Sequence, residues 1–394
     1  MRGMLKFALL ALGTLSAGGT AAWAAEPGIT DTEIRIGDVN IMTGPASFIG
    51  QAVSVGSKVA AAEINAAGGI NGRKIVIHTE DDGYVPARSF QALKKLIEVD
   101  DIFALNGTSG TANVLAMMPL ITKANLPTVV TTAPNELVYN PVRPSVFTIG
   151  ASYEAAFFAQ LKYIHEHNEP KTPVYGLIRQ DDDFGVAVEN GYSRAIKELG
   201  LKDGIRLKYK KGQTDFGAEL LQMREAGVTV LANGAIIASA ANVLSEARKL
   251  GLDLQVADVW SEIMPPSAKL LAPAGYSFFV GDYIASMTDP AAVSWLERTK
   301  QYMSDTDRQA VNRYTFITYA GLKVLAKAMA ACGKELTRAC TVENLKKTHG
   351  FETGGLTAPI SFDNEKQLGG TEVKVYQVNL ADVSFKTLTG YTQY

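Results

Sequence analysis

Two short polar stretches of this 394-residue chain have the makings of an anion site. The run Asn106-Gly107-Thr108-Ser109-Gly110-Thr111 leads into a helical pattern from about Thr111 to Lys123. A helix start presents unpaired backbone N–H groups at the positive end of its dipole, so Ser109, Thr111 and those amides suit a carboxylate. Plain capping of the helix by serine or threonine is the competing role. The next extended run ends in Val130-Thr131-Thr132-Ala133-Pro134-Asn135, a second polar loop. If the two strands are parallel, both loops share one sheet edge and can grip one ligand.

The elements around them read as alternating strands and helices. Glu33 to Val39 and Lys74 to His78 alternate as strands, and Ala52, Val55, Val59 and Ala62 recur between them at helical spacing, with Gly68-Gly69 ending the helix. A helix over 87–99, a strand over 102–105, the helix from Thr111 and a strand over 128–130 follow. After Ile149 the pattern restarts with a helix carrying Phe157, Leu161 and Ile164, a strand over 174–178 and a helix over 184–199. Strands over 228–231 and 254–257 flank a helix over 240–250, and Pro265-Pro266 reads as a turn. The region 313–331 reads as a long helix whose stripe of Phe316, Leu322, Leu325 and Met329 is core packing. Such alternation predicts an α/β fold of doubly wound parallel sheets, and the length predicts two domains. Open sheets of this kind bind ligands outside the carboxyl ends of their strands, where both polar loops fall.

Complete signatures of α/β enzymes are not found. No G-x-G-x-x-G follows the first strand, no G-x-x-x-x-G-K-[ST] loop occurs, and Gly107-Thr108-Ser109-Gly110 falls one residue short of a G-x-S-x-G elbow. His165 and His167 are two apart on a helix and point to different faces, so no metal is expected there. No cofactor is implied, and binding without catalysis is the expectation. A secreted α/β enzyme is the rival class.

Arg2 and Lys6 precede an apolar stretch from Phe7 to Leu15 and small residues up to Ala24, the pattern of a cleaved leader over 1–24 and of export to the periplasm. With 38 basic against 40 acidic residues the chain is slightly acidic. Nucleic acid is therefore not an expected partner. Cys332 and Cys340 are the only cysteines, and in an oxidising compartment they are expected to form one local disulfide; two free buried thiols are the alternative.

The chain resembles the type I periplasmic binding proteins of the leucine/isoleucine/valine-binding family, which serve ABC importers. The likeness runs through Ile36-Gly37, Thr43-Gly44-Pro45, the stretch 60–72 (AAAEINAAGGING), Asp81 to Arg88 (DDGYVPAR), Gly107, Asp181 to Gly185 (DDDFG), Tyr319-Ala320 and Phe362-Asp363-Asn364. It implies a monomer of two lobes: residues 25–149 plus 283–354, and residues 150–282 plus 355–394. Three crossovers would join them near Ile149, Asp282 and Gly355, with the ligand in the cleft between. Carried over by position, carboxylate contacts fall on Thr111 and on Thr132-Ala133, with Ser109 beside them. Where amino-acid binders of the family often offer tyrosines, this chain has Phe48, Ile49, Phe184 and Ile236. The family's acidic partner for an ammonium falls at Trp260, with Glu262 two residues late. This pattern favours a small hydrophobic acid, of aromatic or phenylpropanoid type, with Tyr283 and Tyr314 as further walls. The alternative ligand is a branched-chain or aromatic amino acid, its ammonium met by Glu262 or Asp183. The implied partner is a membrane permease; a receptor that senses the closed clamp is the other possibility.

Overall fold

The computed structural model describes residues 26–167, 170–276, 278–379 and 384–394; the expected leader over 1–24 lies outside them. Apolar alternation gathers the strands into two sheets. The first contains β1 (Glu33–Asn40), β2 (Lys74–Asp81), β3 (Ala104–Thr108), β4 (Thr128–Val130) and β5 (Val146–Thr148), in the order β2-β1-β3-β4-β5, all parallel. The second holds β6 (Tyr175–Gln180), β7 (Asp203–Tyr209), β8 (Val230–Gly234), β9 (Gln255–Asp258) and β10 (Phe278–Asp282), all parallel. Antiparallel β11 (Glu372–Asn379) and β12 (Ser384–Thr387) extend it, giving β12-β11-β10-β9-β8-β6-β7, and β13 (Thr392–Gln393) pairs with β11. The protein is thus an α/β molecule of two doubly wound lobes.

Helix Ser47–Ala66 buries Ala52, Val55 and Val59 and packs along helix Arg313–Ala330. The two approach closely enough that a Cβ at Gly56 would fall 2.5 Å from the Thr315 carbonyl oxygen, so only glycine fits. The expected stripe of Phe316, Leu322, Leu325 and Met329 is fully buried core. That helix starts where Asn312 and Thr315 cap each other's backbone. Beyond its far end, Cys332 and Cys340 are joined in a disulfide.

The chain crosses between the sheets after β5, after β10 and before β11. These connections lie side by side: Thr148 bridges to Leu368, and Ile284 to Thr357. The expected turn at Pro265-Pro266 is instead the first turn of helix Pro265–Leu271, a position where a missing N–H costs nothing. Among the described residues no helix is long and apolar enough to cross a membrane.

Candidate functional site

In the first sheet the strand order reverses between β1 and β3, because β1 connects outward to β2 and β3 to β4 on the other side. A crevice opens there at the carboxyl ends. Ile41 leaves β1 and donates its N–H to Ser109 Oγ at 3.2 Å, so the serine keeps its own proton to donate elsewhere. Gly110, at φ 84°, turns the chain into helix Thr111–Lys123, whose first turn has no side-chain cap. Ser109 and Gly110 form the polar end of the site. Thr132 donates its hydroxyl to the Thr108 carbonyl and stands beside them.

The second sheet repeats the reversal, between β6 and β8. Asp182 caps helix Asp183–Leu199 by accepting the Gly185 N–H at 3.0 Å, which sets Phe184 in the first turn facing the crevice. Ile236 and Ile237 follow β8. Ile237 has φ 55°, an unusual strain for a β-branched residue, and its N–H is held by Glu262 Oε1 at 2.8 Å. Trp260 begins the turn after β9. Its indole stacks on Tyr153, with centroids 4.6 Å apart and planes at 18°. Phe184 meets the same tyrosine edge-on at 5.0 Å, and Tyr283 meets the indole edge-on at 5.3 Å.

The two crevices face each other and enclose a pocket. The cavity left between the walls is small, about 40 Å³. The lobes are closed tightly. Of the residues expected at the site, Ser109, Thr132, Ile49, Phe184, Ile236, Trp260 and Tyr314 share this wall. Six others do not reach it. Phe48 lines a separate groove with Lys58 and Asn312, because its neighbour Ile49 takes the inward face of the helix. Thr111 is buried beside the pocket, its hydroxyl without a partner, and Ala133 is buried within its loop. Asp183 is half-buried off the wall, and its carbonyl accepts from Asn135 Nδ2 at 2.9 Å. Tyr283 stands behind Trp260 and donates to the Thr131 carbonyl at 3.2 Å. Glu262 lies behind Ser261, which takes the place on the wall. Tyr84 and Tyr153 line the pocket without having been anticipated, so the cleft has more hydroxyls than the residues at Ile49, Phe184 and Ile236 implied. Tyr84 lies within the DDGYVPAR stretch, one of those that carry the family resemblance.

No charged side chain lines the pocket among the described residues. Two acids, Glu262 and Asp258, are buried behind Ser261 and Val259 of the wall. Glu262 accepts from the Ile237 N–H and, at 2.8 Å, from the Ser261 hydroxyl, while its Oε2 has no partner. Burial pushes its carboxyl up to about 7. Asp258, held by Asn233 and by the Val259 N–H, is raised by burial and by the charge of Glu262. Arg313 is a buried cation beside the aromatic wall. It pairs with Asp282 through both carboxylate oxygens and lies 5.1 Å from the Trp260 ring and 4.8 Å from that of Tyr314.

Residues 33–384 match the sequence profile described as periplasmic binding protein. The chain is 23% identical over 365 residues to a Leu/Ile/Val-binding protein homolog of Brucella abortus, covering 84% of this chain and 87% of that one. With an amino acid binding protein of Pseudomonas aeruginosa it is 24% identical over 220 residues, and the match spans 58% of that protein's length. Among solved structures, a branched chain amino acid ABC transporter protein from Thermus thermophilus with bound valine superposes with a TM-score of 0.80 at 18% identity, covering 93% of this chain and 98% of that one. A solute binding protein from R. palustris in complex with 4-hydroxybenzoate also gives 0.80, at 16% identity, with 92% and 97% covered.

Proposed function

The chain belongs to the periplasmic binding protein family, of type I, and from that premise we propose that it captures a small hydrophobic carboxylate for the permease of an ABC importer. The acid is aromatic or phenylpropanoid, and the protein, exported after loss of residues 1–24, binds it without transforming it. One observation carries the choice of ligand: the pocket wall combines stacked aromatic rings with the hydroxyls of Ser109, Thr132 and Ser261 and, among the described residues, has no charged side chain. An ammonium brought into such a wall would lose its hydration without gaining an anion in contact, whereas a carboxylate keeps donors and an apolar tail gains cover. The 4-hydroxybenzoate held by one structural neighbour is a ligand of this kind.

The second reading keeps the role and makes the ligand an amino acid. It is favoured by the unpartnered Oε2 of Glu262, one residue behind the wall, and by relatives named for amino acids. A thermal-shift screen of protein stripped of carried-over ligand separates the two. Benzoate, 4-hydroxybenzoate and coumarate should each raise the unfolding midpoint, by the equivalent of ~2.7 kcal/mol at about 100 times the dissociation constant. Leucine, valine and phenylalanine should leave it unchanged; a shift with these alone reverses the assignment.

A further inference from the structure

Tyr84 combines a place on the pocket wall with a strained backbone. Its φ is 62°, immediately after Gly83 at 54°, and Asp82 Oδ1 accepts its N–H at 2.8 Å. The ring lies over the start of helix Thr111–Lys123, so close that a Cβ at Gly110 would fall 2.6 Å from it. Tyr84 therefore lies against Gly110, beside Ser109 at the polar end of the site. From the opposite lobe, Lys211, in the loop after β7, places its ammonium 3.5 Å from the centroid of that ring. The same ammonium donates to the Tyr84 carbonyl at 2.9 Å. Lys211 is not part of the pocket wall.

We infer that Lys211 is a latch: docked on Tyr84 only when the lobes are together, it sets how long the cleft stays shut over the polar end. The contact joins two features that separate on opening, a ring carried by the first lobe and a cation carried by the second. Its strength therefore enters the closed state alone. A cation over an aromatic face gains more as water is displaced, and it needs no ligand to form. The latch thus holds some closed population before binding and slows release afterwards. The inference rests on the reading of the cleft as a ligand clamp, and the experiment is chosen to separate the two.

Lys211→Met keeps most of the side chain's length and removes the charge at an exposed position, and Lys211→Arg keeps charge and stacking. Small-angle scattering without ligand should give K211M a larger radius of gyration than the wild type, with K211R close to the wild type. Stopped-flow displacement of 4-hydroxybenzoate should be roughly three- to tenfold faster for K211M. Wild-type dimensions and wild-type release in K211M would overturn the latch. An expanded ligand-free K211M with no 4-hydroxybenzoate binding in any variant would uphold the latch and count against the ligand assignment.

Discussion

Glu262 has lost its water and gained only one well-bonded oxygen, and its behaviour with pH follows from that. Its carboxyl is pushed up to about 7 by burial, and Asp258 is shifted in the same direction. Between the ordinary carboxylate range and pH 7 the folded protein holds a proton that the unfolded chain releases. The stability this contributes is complete below the unfolded value and is lost as pH rises through 7. Glu262→Gln keeps an acceptor for Ile237 and removes the charge. The variant should melt higher than the wild type at pH 8, differ little at pH 5, and show a shallower dependence of midpoint on pH. An unchanged slope would assign the dependence to other groups. The same variant tests the ligand: affinity for 4-hydroxybenzoate should survive it, whereas an ammonium partner could not be neutralised without loss. Ser109→Ala should weaken acid binding and also cost about 1–3 kcal/mol of stability, by stranding the buried Ile41 N–H; chemical denaturation and calorimetry read the two effects separately.

At this scale the wall was legible where a residue type and its loop were sufficient, as for Ser109 and Thr132, whereas Trp260 came only from its position in the family resemblance. It was not legible where direction decides. Phe48 and Ile49 are adjacent on one helix and face different spaces, and Trp260 and Glu262 share a turn of which only one side chain reaches the wall. Spacing does not reveal which of two neighbours turns inward in the first residues of a turn.

Among the elements, strands and helices with a continuous apolar face were read closely: the helix over 111–123 and the strand over 128–130 match their observed limits. β7, with charged residues along its exposed face, and β10, whose role depends on its neighbours, were not identified beforehand. β10 ends at Asp282, and its pairing with Arg313 ties this strand end to the first turn of helix Arg313–Ala330. Both side chains are at most 2% exposed. Asp282→Asn leaves a guanidinium buried without its countercharge, and we expect a loss of about 3–5 kcal/mol in denaturant unfolding. Pairing it with Arg313→Met should recover part of that loss, which a double-mutant cycle would show as strong coupling. The disulfide, by contrast, closes a loop of only eight residues' separation. Its reduction should cost about 2–3 kcal/mol, a smaller effect than breaking the ion pair.

For the whole molecule, two facing reversals of strand order divide the pocket. The first lobe supplies Ser109, Gly110 and Thr132 together with Ile41, Ile49 and Tyr84, and the second supplies Phe184, Ile236 and Trp260 with Ser261. On the proposed reading, the first lobe recognises the acid group and shares the tail with the second, which brings the rings of Phe184 and Trp260. That division makes specificity modular: substitutions after β6, β8 and β9 can retune the tail, from ring to branched chain, while recognition of the carboxylate is inherited unchanged. A lineage built on this plan can change its diet by revising one half of the molecule at a time.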